Sequence, residues 1–152
     1  MDLSKLDRQE LGKHFEYLFG SELIRLQFDV FRPIIDKAGV DFIVRKDENA
    51  SPKYFEVQVK SVRKKGGRLT VSQKTFIPNE RLFLAFFYVN DPEKGEYDFY
   101  MIPSKYVRDS PFIDDTQNEH KIYRLNINKK SLEAIKSYKL KDFDSVPNVW
   151  KD

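Results

Sequence analysis

Gly39-Val40-Asp41-Phe42-Ile43-Val44 and Phe55-Glu56-Val57-Gln58-Val59-Lys60-Ser61 are the two stretches whose reading decides the fold of this chain. Side chains alternate across an extended strand, so Phe55, Val57 and Val59 share one face while Glu56, Gln58 and Lys60 share the other. The apolar set fits a core and leaves a carboxylate, an amide and an ammonium in a row. Between the stretches, Asp47-Glu48-Asn49-Ala50-Ser51-Pro52 is a polar turn signal. It predicts a hairpin of strands over about 40–46 and 54–62, with Asp41 and Gln58 on facing strands. A polar strand face commonly marks a solvated surface and nothing more. The chemical alternative is that oxygen ligands beside a lysine suit Mg²⁺, which takes carboxylates, carbonyls and water, while the lysine holds the attacking water or the phosphate.

The flanking segments favour chemistry. Asp7 with Glu10 three residues later reads as a helix N-cap, and Leu11, Phe15, Leu18, Phe19, Leu23 and Leu26 recur at helical spacing to about residue 26. Phe28-Asp29-Val30-Phe31 is a short strand stopped by Pro33. After the hairpin, Lys60, Arg63, Lys64, Lys65 and Arg68 put five cations within nine residues, and Gly66-Gly67 breaks the chain there. Such a basic loop keeps a sheet edge soluble; beside a metal site it also suits phosphate contact, which supplies affinity without reading sequence. Gln73 and Lys74 lie near the same groove in this scheme.

Further on, Ser72 caps a short helical turn through Phe76, ended by Pro78. Leu82 to Val89 is apolar throughout, as expected of a strand buried on both faces at the centre of a sheet. A turn at residues 91–95 leads to a strand over Tyr97–Ile102, residues 109–120 form a polar loop, Tyr123, Leu125 and Ile127 mark a last strand, and Leu132, Ile135 and Tyr138 a C-terminal helix. The expected class is an α/β or α+β domain with a mixed central sheet flanked by helices and a C-terminal strand and helix appended.

A chain of 152 residues suits one domain over 1–152, with its core over about 7–107 and an extension over about 108–152. Charged residues make up 34% and apolar ones 40%, which together with thirteen Phe and eight Tyr excludes a disordered chain. The absence of cysteine excludes disulfides, zinc–thiolate sites and thiol catalysis. His14 and His120 fit no metal-ligand spacing. No apolar signal region or membrane-length apolar run is present, so a cytoplasmic protein is expected. Net charge is only +3, so distribution rather than total points to nucleic acid.

The order of helix, strand, Gly-Val-Asp strand and Gln-Val-Lys strand resembles the PD-(D/E)xK nuclease superfamily. The likeness is greatest to the small branch that includes archaeal Holliday-junction resolvases and a cyanobacterial intron-encoded homing endonuclease. Leu11-Gly12-Lys13-His14-Phe15-Glu16, Phe28 to Pro33, Gly39-Val40-Asp41 and Gln58-Val59-Lys60-Ser61 carry it. Val40 stands where the family name has proline, and Gln58 where the second acidic residue belongs. The resemblance implies a restriction-endonuclease-like fold and a Mg²⁺-dependent (or Mn²⁺-dependent) endodeoxyribonuclease. It implies Asp41 and Gln58 as metal ligands, Lys60 positioning the water, and Glu16 completing the site. Glu56, on the same face, is a further candidate ligand. Arg63, Lys64, Lys65 and Arg68 are the candidate nucleic-acid contacts. The neutral Gln58 keeps open an alternative: a module of this fold that binds nucleic acid or a protein without cutting. One site cuts one strand, so a homodimer or a tetramer of dimers is expected, with Phe112, Phe143 and Trp150 of the C-terminal third at its interface.

Overall fold

Helix α1 (Arg8–Arg25) is set at both ends by local hydrogen bonds. Asp7 Oδ1 accepts from the backbone N–H of Gln9 (2.7 Å) and Glu10 (2.8 Å), and Glu10 returns a bond to Asp7 N, a reciprocal box that satisfies orphan donors. At the other end Phe28 N donates to Leu23 O and Gln27 N to Ile24 O, with Gln27 at φ 64°. That is the usual left-handed helix stop, with glutamine where glycine is more common. Leu11, Phe15, Phe19 and Leu23, spaced by four, form the buried stripe.

The computed structural model describes residues 1–35, 39–48, 51–63, 67–109, 112–115 and 121–150, without the side chains of 48 and 113–115. Six strands make the central sheet in the order β1 (Asp29–Phe31), β2 (Phe42–Glu48), β3 (Ser51–Arg63), β5 (Leu82–Asp91), β6 (Glu96–Pro103) and β9 (Lys139–Leu140). Only β3 and β5 run parallel. The mixed sheet flanked by helices is the class expected. The hairpin register pairs Phe42 with Val57 and Asp47 with Pro52, so the strands run further into the expected polar turn than their composition suggested. Every residue from Leu82 to Val89 is buried, as an all-apolar central strand requires.

Two apolar layers sit on opposite faces of this sheet. On one, α1 packs Phe15 onto Phe87 (4.5 Å between ring centroids), and Phe87 stacks on Phe99 (4.7 Å). On the other lies a second sheet, in the order β4 (Arg68–Ser72), β8 (Ile122–Asn126) and β7 (Ile113–Asp115). Leu69, Val71, Tyr123 and Leu125 of this sheet cover Leu84, Phe86 and Ile102, joined by Val107 of α2 (Ser104–Asp109) and by Ile135, just after α3 (Lys129–Ala134).

Three expectations change here. Arg68–Ser72 is a strand rather than the end of a loop before a helical turn, because Leu69 and Val71 find an apolar partner in β8. The region expected as polar loop contains β7, held by the same partner. The strand over 122–126 belongs to this second sheet and is not appended to the central one.

The C-terminal aromatics do not form an outward face. After β9 the chain reaches α4 (Val146–Val149), and Trp150, 1% exposed, stacks on Phe55 at 5.2 Å. Phe143 packs against Phe99 at 4.9 Å and Phe112 is buried in the second layer. Burial within their own chain takes Phe112 and Trp150 out of the expected subunit interface, while Phe143 stays half-buried. Among the described residues no helix is long and apolar enough to cross a membrane.

Candidate active site

Asp41 closes the hairpin. Its backbone N–H donates to Val57 O (2.9 Å), and its side-chain Oδ2 accepts from Val59 N (2.6 Å). The carboxylate is thus fixed by the strand that carries the other candidates. Asp41 lies one residue before the Phe42–Val57 pair, where the hairpin register ends. The alternation read from the sequence holds: Phe55, Val57 and Val59 face the α1 layer, while Ile43 and Val62 mark the opposite face, which Glu56, Gln58 and Lys60 share.

Gln58 is the unusual member. It is 5% exposed, and its Oε1 is buried without a hydrogen-bond partner. An orphaned acceptor costs about 1–3 kcal/mol, so a native one calls for an explanation. The carboxamide sits under the chain entering β2: a Cβ on Gly39 would lie 2.8 Å from Gln58 Nε2 and 3.0 Å from Thr75 Oγ1. Gly39 also has φ 63°, so this turn needs glycine on both counts. Lys60 is half-buried on the same face and makes no ion pair with a described residue. Glu56 lies two residues before Gln58, about 7 Å along the strand.

Glu16 reaches the neighbourhood from α1, but it is already engaged. Its carboxylate, 13% exposed, binds Lys13 Nζ at 2.6 Å and Arg32 Nη2 at 3.1 Å. Arg32 in turn lies over the ring of Phe42, 5.3 Å from its centroid. The hydrogen bond to Glu16 raises the pKa of Lys13, and the charge of Asp41 acts in the same sense, placing Asp41 in the field of this cluster. Among the described residues no three Asp, Glu or His side chains converge as a metal cluster. Glu16 and Glu56 therefore do not join Asp41 in a ready-made carboxylate cage. The pair that fits a cation is the Asp41 carboxylate, fixed by Val59 N, and the buried, unpartnered amide oxygen of Gln58, one residue before Val59 on β3.

The basic segment divides. Arg63 ends β3, and its Nη2 donates to the carbonyls of Leu3 (3.0 Å) and Leu6, which ties down the N-terminal turn. Arg68 is exposed at the start of β4. Lys64 and Lys65 lie outside the described residues, as does His120. Gln73 donates to Ile122 O at 3.1 Å, a bond between elements, and Lys74 is exposed. His14 packs edge-on to Phe15 at 5.1 Å, and partial burial lowers its pKa, which suits a structural residue. Lys13, Arg32, Gly39 and Thr75 escaped the sequence analysis as site residues. The three-residue spacing of Lys13 and Glu16 on a helix was a usable signal, whereas nothing local marks Arg32 or Thr75.

No protein-family model and no curated protein matches this chain. Among solved structures it is similar to a bacterial homing endonuclease, I-Ssp6803I, with 18% identity, 88% of each chain covered and a TM-score of 0.49.

Proposed function

We propose that this protein is a divalent-metal-dependent endonuclease acting on DNA phosphodiesters through a PD-(D/E)xK-type site in which Gln58 replaces the second acid. The single observation that carries this is the buried, unpartnered Gln58 Oε1 on the strand whose Val59 N–H holds the Asp41 carboxylate, with Lys60 on the same strand face. Asp41 and Gln58 would hold Mg²⁺ or Mn²⁺, which when bound stabilises charge on the scissile phosphate and lowers the pKa of a water. The protein's own contribution is positional. The bond from Val59 N fixes the carboxylate in advance, so no ordering is needed when substrate arrives. Lys60 projects its ammonium to orient the water or hold a phosphate oxygen. Lys13 and Arg32 hold Glu16 beside the site, where it balances their charge.

A second reading, a nuclease-fold module that binds without cutting, is favoured by the same Glu16 ion pairs, which occupy the helix carboxylate, and by the neutral Gln58. Purified protein incubated with supercoiled, linear, branched and single-stranded DNA in Mg²⁺, Mn²⁺ or EDTA separates the two. Cleavage should require the metal and fall by about 10²–10³-fold or more in Lys60→Ala and Asp41→Asn. The asparagine keeps an acceptor for Val59 N, so folding should persist. Metal-independent cleavage, or full activity in Lys60→Ala, would falsify the site; binding without cleavage in any metal would establish the module.

A further inference from the structure

β3 is flanked by strands on both sides only at Glu56 and Val57, where its pairings with β2 and β5 overlap. β2 ends its pairing at Phe42–Val57, whereas β5 continues beside β3 to Arg63. Val57 O and Val59 N point toward the β2 side, as their bonds to Asp41 show, while Glu56 N turns the other way to Arg81 O. Alternation therefore carries the backbone groups of Ser61 and Arg63 to the same unflanked edge. That edge opens on a cleft of about 540 Å³ between the start of α1 and β4, lined among others by Arg8, Ser61, Arg63, Arg68 and Thr70.

The chemistry of this cleft has one sign. Three arginines and no carboxylate are among the residues lining it. Arg8 and Arg68 are exposed and make no ion pair with a described residue. Arg63 spends Nη2 on Leu3 and Leu6, but its Nε is buried without a partner. Gly67 holds the wall close, since a Cβ there would overlap Val62 and the Arg63 carbonyl. Guanidinium groups beside an outward backbone N–H and a threonine hydroxyl match a phosphate, which accepts from several donors at once. Ser61 lies two residues beyond Val59, about 7 Å along the strand that carries Gln58 and Lys60.

We propose that this cleft seats a phosphate group of the nucleic-acid strand, one neighbouring the phosphate held at Asp41, Gln58 and Lys60. This rests on the nuclease reading and adds Arg8, the Ser61 N–H and Thr70 to its substrate contacts. The test is a salt titration of binding to a short labelled DNA duplex, with Ca²⁺ in place of Mg²⁺, comparing wild type with the Arg8→Ala/Arg68→Ala double variant. Both side chains are exposed, so the thermal unfolding midpoint should stay put and confirm the fold. Each lost phosphate lowers the log–log salt slope by about 0.9, so the double variant, which loses the one seated here, should lose about one unit. A native double variant with an unchanged slope, in a protein that still cuts DNA, overturns the cleft and leaves the nuclease standing. If wild type neither binds nor cuts nucleic acid, the strand-phosphate proposal falls with the nuclease. Pyrophosphate titration, followed by calorimetry, then separates the remainder. Uptake that is lost in the double variant leaves a free-anion site, and no uptake removes the site altogether.

Discussion

The two apolar layers on either face of the central sheet are built alike but end differently. Toward α1, aromatic rings fill the space, and the orphans there, Trp150 Nε1 and Arg63 Nε, are both donors. The buried polar residues Gln58, Ser104 and Ser131 are all away from that layer, and two of them are satisfied. Ser104 Oγ donates to Asn79 O and accepts from Asn79 N, and Ser131 caps and is capped by Asn128. Among the described residues Gln58 Oε1 and Asn90 Oδ1 are buried acceptors with nothing to accept, and of the two Gln58 lies on the strand tied to Asp41. A buried donor attracts no cation, whereas a buried carbonyl oxygen is a ligand for one. The difference separates a packing residue from a candidate ligand, although both atoms are equally hidden from water.

The comparison can be broken first on the packed side. Phe87→Ala removes a fully buried ring stacked between Phe15 and Phe99 and should cost about 3–5 kcal/mol in denaturant unfolding. A loss below about 1 kcal/mol would mean that the layer collapses around the gap. On the other face, Gln58→Met keeps the approximate volume and removes the orphan acceptor. The metal-free protein should become more stable, by up to about 1–3 kcal/mol, while metal-stimulated cleavage disappears. Destabilisation instead would show that the amide oxygen has a structural partner and is no vacant ligand.

The smallest effect is confined to high pH. Burial, with smaller contributions from Asp98 and Tyr88, raises the Tyr100 phenol from 10.0 to about 12. The folded state then holds this proton more tightly than the unfolded chain does. The stability linked to it is whole below pH 10 and is lost as pH climbs toward 12. Tyr100→Phe should flatten that decline in unfolding midpoint between pH 10 and 12 and change nothing at neutral pH. An equal decline in both proteins assigns the loss to other groups, such as Tyr88.

How much was legible depended on sequence distance. The box at Asp7 and Glu10, the four-residue stripe of α1 and the hairpin of β2 and β3 all follow from residues near one another in the chain. Periodicity and capping act over a few residues, so they could be read directly. The burial of Gln58 was not legible. Its strand pattern is equally consistent with a solvated polar face, and only the turn carrying Thr75 and the backbone at Gly39 cover it.

What the sequence by itself determined is therefore the β2–β3 hairpin, the burial of β5, the two faces of β3 and the identity of the oxygen and ammonium groups on one of them. Tertiary structure alone decided that β4 pairs with β8, some fifty residues away, to make a second sheet over that face. It also sent Trp150 into the α1 layer, turned Arg63 to the carbonyls of Leu3 and Leu6, and engaged Glu16 with Arg32. These contacts join residues whose local patterns carry no mark of one another. The entropic cost of closing the long loops between them is offset by shared burial, which exists only once the whole chain has folded.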